Sequence, residues 1–540
     1  MLKSISAILA MVATLLLTAG CGQRETQVES GIRTQTFHLG NLAEPLDLDP
    51  HIITSLQDFQ IIMGLFEGLT NYHPKTNLPT PGVAAHWESS ADAQEWTFHL
   101  RDNARWSNGQ PVTAHDFVWS IQRALSPRLA SEYASMLFIL KNGKAYYDEE
   151  ITDFAEVGVR APDDHTVVYT LDHPVPFFDR MAAHAMWYPV NRDNILAHGA
   201  MDDRGTLWTR PGNLIGNGPF TLTEWSPNQV IRIDKNPTYW DAANVRLNTV
   251  NLYPIESLAT EEAAFRSGQL HATVSIPQEK IPVYQNDPER AHLLNQAPQL
   301  GTYFFRLNVE RPPLDNVLVR RALSMAVNRV QIIDRVAKGN QLPAYSLCPP
   351  NIAGYQGPDV IAHDPDQARR LLAEAGYPNG EGFPRLELLY NTNEGHRAIA
   401  EALQQMWRTE LNIDIGIYNQ EARVWNDTMR ETNYDIARYA WIGDYLDAST
   451  FLDLMTKDNG NNQTNWSHPE YDRLVEEARY VIDDDSRFAL YREAERILIE
   501  DSPIIPLYFY TNNQLQVPAL KGWEGNLLDL HPYNRVYLEP

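Results

Sequence analysis

Cysteine is nearly absent, with only Cys21 and Cys348 in 540 residues. That excludes a disulfide framework and a cysteine-rich metal site. Long apolar runs are also scarce. Only Ile5 to Leu17 is nearly unbroken, and its length of about 13 residues falls short of the roughly 20 that span a bilayer. Positive charge is in deficit, with 44 Lys and Arg against 69 Asp and Glu, a formal charge of −25. A nucleic-acid partner and steering toward anionic lipid are both disfavoured by that balance. Enzyme signatures are missing too: no Walker phosphate loop, no HExxH, no CxxC, no GxSxG and no EF-hand loop. Sixteen histidines show no metal-ligand spacing. No metal and no cofactor are expected, and catalysis starts from a low prior.

What is present is the composition of a globular protein, 43% hydrophobic and 10% aromatic. At roughly 100–200 residues per domain, the length suggests about three domains. Lys3, the apolar run and the small residues Thr18-Ala19-Gly20 form an export signal over residues 1–20. The small run ends in Cys21 and resembles a bacterial lipoprotein signal, in which that cysteine is lipidated. An ordinary secretory cleavage nearby is the alternative. The lipoprotein reading gives a chain anchored to a membrane through Cys21, with residues 21–35 as a polar tether. Either processing route makes the protein exported.

From Thr36 onward the chain reads as folded. Glu95–Leu100 is expected as a strand, followed by a turn at Asn108-Gly109 and a helix opened by Thr113 with Asp116 as its capping-box partner. Thr166–Thr170 and Val230–Ile233 read as strands. The second half alternates in the manner of α/β domains. Its expected helices are 320–330, one begun by Asp364-Pro365 and stopped by Gly376, 394–410 and 487–501. Its strands are expected at 386–390, 413–417, 434–441 and 506–510. His184 lies among apolar residues and reads as a packed or locally bonded histidine. Cys348 lacks a nearby base and reads as a buried inert thiol. Asp483-Asp484-Asp485 is an acidic approach to a helix.

Several ordered segments together resemble the peptide-binding receptors of bacterial ABC importers, the extracellular solute-binding proteins of family 5. They are LDLDP at Leu46–Pro50, GLFEGL at Gly64–Leu69 and the long run from Trp96 to Arg123. NGPF at Asn217–Phe220, NPTYW at Asn236–Trp240, RRALSMAVNR at Arg320–Arg329 and LLAEAGYP at Leu371–Pro378 continue the series. The resemblance covers essentially the whole chain after the tether. It implies an α/β fold of the periplasmic-binding-protein-like type II class (large cluster C), with two lobes joined by a hinge and an inserted α+β accessory domain. Lobe I would comprise residues 36–66, 197–300 and 512–540, lobe II 67–196, and lobe III 301–511.

The resemblance is nearest to oligopeptide-binding members and rests on DIARYAWIGDY, Asp435–Tyr445. It assigns the peptide ammonium to Asp444 and, at particular ligand lengths, the peptide carboxylate to Arg438 or His396. Read without it, Asp444 and Arg438 are ordinary candidates for a surface ion pair. It also implies that an extended peptide is bracketed by Thr54, Ser55 and Leu56 on one side and by Ala440, Trp441 and Ile442 on the other. Tyr133 would line a side-chain pocket; Tyr508 would line one or sit in a core strand.

Two departures from the family stand out. The positions matching a relative's disulfide are Gly301 and Ile442, and Thr54 replaces an acidic residue. The implied partners are short peptides and an ABC permease, with its ATPase reached through the permease, and the receptor is expected as a monomer in the periplasm or at the cell surface. Other cargoes on the same fold are murein peptide, haem or a nickel complex; a peptide-sensing or chaperone protein without a transport role is a further alternative.

Overall fold

The computed structural model describes residues 25–540, except residue 458. The export signal and Cys21 therefore lie outside the described residues. No helix among them is long and apolar enough to cross a membrane.

The chain enters through α1 (Gln27–Thr34), which lies inside the segment read as a tether. Thr26 and Glu29 cap it reciprocally, and the Val28 N–H donates to the Gly268 carbonyl at 3.0 Å. The polar composition suggested a solvated linker, but capping and this docking hold the segment on the body. β1 (Thr36–Gly40) follows and pairs in parallel with Thr249–Tyr253. With Val230–Lys235 and Phe220–Ser226 these strands make a four-stranded sheet. Phe37, Leu39, Ile231, Ile233 and Val250 alternate onto its buried face. α2 (Leu56–Leu65), whose first turn is capped by Ser55, packs on that core.

A second four-stranded sheet, drawn from residues 84–170, belongs to the accessory region. Its expected elements are found at Glu95–Leu100 and Thr166–Thr170, and the helix Ala114–Ala124 has the Thr113–Asp116 capping box. Two family landmarks fasten this region to the first. Arg123 on that helix donates to both Asp49 carboxylate oxygens, at 3.0 and 2.5 Å, with both groups buried. Glu67 accepts from Tyr239 Oη and Trp240 Nε1, each at 2.6 Å. A buried ion pair broken on one side costs about 3–5 kcal/mol, so these residues hold the lobes in register.

The third body is a six-stranded mixed sheet. Its long antiparallel pair is β2 (Leu294–Leu307) against β5 (Ile504–Leu515), with β3 (Leu386–Asn391) and β4 (Ile436–Ile442) on the other flank of β2. α3 (Glu394–Leu411) and α4 (Asp484–Asp501) cover it. The expected single helix at 320–330 is two, Val317–Met325 and Arg329–Ile332, because Asn328 leaves helical geometry to cap the second. The strand expected from Tyr434 starts at Ile436, and the one expected at 413–417 runs Ile415–Gln420. β2 and β5 reach from this sheet back to the first body, where Leu515 N–H donates to Thr273 Oγ1. Their register shifts between Pro298 and Thr302, where the two bodies meet.

Candidate functional site

β4 carries the site because its edge is only half covered. It pairs with β2 along Ile436–Ile442, but β3 contacts it only at Ile436 and Ala437. Beyond Ala437 the outer edge of β4 has no strand partner among the described residues. The Gly443 N–H donates to the Leu300 carbonyl at 2.8 Å, toward β2. Polar groups of an antiparallel strand alternate in direction, so the N–H and C=O of Ala440 and Ile442 face outward. Trp441 turns its own to β2.

Two ionisable groups of opposite sign flank that edge. Asp444 has the Tyr133 hydroxyl as a side-chain partner, at 3.4 Å, and makes no ion pair with any described residue. Burial pushes its pKa up to about 6, against the pull of Tyr133. Arg438 donates to Asn391 Oδ1 at 3.3 Å and to Tyr510 Oη at 3.0 Å, and its guanidinium lies 4.6 Å from the Tyr303 ring centre. No described carboxylate pairs with it, and its buried Nε–H finds no acceptor among the described residues. Beside it, His396 at the start of α3 contacts Tyr303 Oη through Nδ1 at 3.2 Å. Burial, reinforced by the Arg438 charge, pushes the His396 pKa down to about 3. The imidazole is therefore neutral at pH 7.

Two cavities meet at Asp444 and Tyr133. One, of about 260 Å³, is largely apolar and includes Thr54, Leu56, Phe59, Ile442, Leu528 and Leu530 in its wall. The other, of about 430 Å³, is polar and includes Glu132, Trp441, Asp453, Asn459 and Asn461. Strand alternation explains the division, since Ile442 and Trp441 project from opposite faces of β4. Ser55 contributes no side chain to either wall; its hydroxyl caps α2 by accepting from Asp58 N–H at 3.1 Å. Tyr508 is buried in the third core, stacked on Tyr303 at 4.8 Å between ring centres, and borders neither cavity. Gly301 and Ile442 are direct partners across the β2–β4 ladder, and a Cβ built on Gly301 would lie 2.4 Å from Ile442 Cδ1.

Sequence reasoning missed Phe59, Gln299, Leu528 and Leu530, which reach the apolar wall from three separate segments. No local pattern marks them. His184 also reaches that wall, and it is locally bonded: its Nδ1 accepts from Met186 N–H at 3.2 Å. Cys348 is fully buried, with its thiol pKa raised well above the usual range by burial and by Glu495. No group of three or more His, Cys, Asp or Glu among the described residues is placed to hold a metal ion.

Residues 79–463 match the family model described as bacterial extracellular solute-binding proteins, family 5 Middle. The chain belongs to this family. As a family 5 protein it is a solute-binding receptor, not an enzyme, and its architecture is the periplasmic-binding-protein-like type II fold with an accessory domain. It is 35% identical to the periplasmic oligopeptide-binding protein OppA of Salmonella typhimurium, over 99% of this chain and 97% of that one. To the periplasmic murein peptide-binding protein MppA of Escherichia coli it is 37% identical, over 91% of each. The solved unliganded open form of the murein tripeptide-binding protein MppA superposes with a TM-score of 0.81 at 36% identity, covering 94% of this chain and 97% of that one.

Proposed function

We propose that this family 5 receptor binds short peptides by both charged ends and passes them to an ABC permease. The observation that carries the reading is a carboxylate and a guanidinium six residues apart, Arg438 on β4 and Asp444 just past its end, neither with an ion-pair partner among the described residues. Isolated buried charges are costly, so each calls for a partner from outside. A peptide zwitterion supplies both, its ammonium to Asp444 and its carboxylate to Arg438, with His396 donating to the carboxylate of a ligand of another length. The outward N–H and C=O of Ala440 and Ile442 take the ligand main chain as an added strand, which gives affinity without reading side chains. Thr54, Ser55 and Leu56 hold its other edge.

Six residues of strand span about 20 Å, an upper bound near six residues for a ligand held along its whole length. Peptides of about two to five residues fit. Ligand binding draws the first and third bodies together by bending at the β2–β5 register shift, and the closed form docks on the permease, whose ATPase drives transport. The receptor works as a monomer outside the cytoplasm, held at a membrane through Cys21. Murein peptide is the second reading, favoured by the likeness to MppA. Native mass spectrometry of gently purified protein tests both: short unmodified peptides support the first reading, murein peptides the second. A haem group or a nickel complex in the cleft contradicts both.

A further inference from the structure

The two cavities at Asp444 differ in chemistry, and the strand geometry fixes which ligand residue enters each. This inference rests on the peptide reading above. With its ammonium at Asp444 and its carboxylate toward Arg438, a bound peptide runs antiparallel to β4. Residues directly opposite in an antiparallel pair project from the same face. The first ligand residue, opposite Ile442, therefore faces the apolar cavity with Leu56, Phe59 and Leu528. The second, opposite Trp441, faces the polar cavity.

That polar cavity is larger, about 430 Å³, and has Glu132, Asp444 and Asp453 in its wall; none of the described residues lining it is Lys, Arg or His. Two guanidinium groups lie close behind the wall: Arg306 donates to the Asn461 carbonyl at 2.6 Å, and Arg479 lines an adjoining space of about 250 Å³ that shares Asp453 and Tyr445 with it. Arg479 is already committed to Asp453 at 3.1 Å and to Glu476 at 2.8 Å. Glu132 has no such partner among the described ion pairs. The indole of Trp441 offers a face for a cation, and its buried Nε1–H has no acceptor among the described residues. Both cavities share Asp444 and Tyr133, but only the polar one adds Glu132, Asp453 and the Trp441 indole to its wall.

We propose that this receptor is selective for peptides whose first side chain is apolar and whose second is a long cation, lysine or arginine, received in the cavity walled by Trp441, Glu132 and Asp453. The acidic wall attracts that cation across a partly hydrated space, so the preference weakens as salt is added.

Calorimetry on the ligand-stripped full chain, with four tripeptides, tests this directly. Leu-Lys-Ala is expected to bind about tenfold more tightly than Leu-Glu-Ala and than Lys-Leu-Ala at low salt. Glu132→Gln is expected to narrow the ratio between Leu-Lys-Ala and Leu-Glu-Ala. Equal affinities for those two, or a preference for Lys-Leu-Ala, would overturn the assignment of cavities while leaving the peptide reading intact. N-acetyl-Leu-Lys-Ala separates the two levels. If it binds as well as the free tripeptide, the peptide-end reading itself fails, and the pocket assignment fails with it.

Discussion

On the proposed reading, Asp444 carries the largest single share of ligand binding. Truncating one partner of a desolvated, hydrogen-bonded charge pair costs about 2–5 kcal/mol, and Asp444→Ala is expected to weaken binding of free-amine peptides by that amount. Calorimetry against wild type measures it. The sign of the pH dependence follows from burial. With its pKa pushed up to about 6, Asp444 is neutral in half of the unliganded molecules at that pH. Affinity for an ammonium is then expected to hold above pH 6 and to fall below it, approaching about tenfold per pH unit. The Asp444→Ala protein is expected to lose that dependence. Asp444 and Arg438 were legible only through the family pattern around DIARYAWIGDY, because lone Asp and Arg residues on a strand are common as surface ion pairs. Their significance lies in lacking an ion pair with each other or with any other described residue, which depends on the folded surroundings.

At the level of elements, β4 acts through an edge that β3 leaves open after Ala437. Ala440→Pro removes an outward N–H while keeping the ladder to β2, so thermal stability is expected to change little and peptide affinity to drop. Trp441→Pro removes a ladder bond and is expected to lower the melting temperature as well, as central-strand proline does. Circular dichroism melts beside calorimetry distinguish the pair. The Gly301–Ile442 juxtaposition gives a second expectation. Non-hydrogen-bonded antiparallel partners sit about 4.5 Å apart at Cα, within the range a disulfide spans. The double variant Gly301→Cys, Ile442→Cys is expected to oxidise to an intrachain disulfide, read as loss of its two added thiols in a denaturing thiol assay. Glu95–Leu100 was readable because apolar and polar residues alternate on it, and Thr166–Thr170 because its centre is a short run of β-branched and aromatic residues. α1 was not readable as part of the body because it is short and mostly polar; it is docked by the main-chain bond from Val28 to Gly268 and by Ile32 packing on the first core. The helix at 320–330 was misread as continuous because its apolar spacing carries through Asn328, whose capping role interrupts it.

In the whole molecule, segments from all three bodies wall the cavities at Asp444, and the residues that made the family recognisable lie mostly away from those walls. Asp49 with Arg123, and Glu67 with Tyr239 and Trp240, lie in or beside the recognised motifs and tie the first two bodies together. The apolar wall of the site comes instead from Phe59, Leu528 and Ile442, far apart in sequence, so only folding brings it together. The first body returns at the C-terminus through β5, which length could not reveal. The acidic balance of the chain finds a local counterpart in the polar cavity beside Asp444. On the proposed reading, the cleft is a receptor for a zwitterion of limited length. Calorimetry with one tripeptide in free, N-acetylated and C-amidated forms addresses that most directly. Loss of about 2–5 kcal/mol on N-acetylation, together with a weaker complex on amidation, is the predicted result; equal affinity for the free and doubly blocked peptide would contradict it.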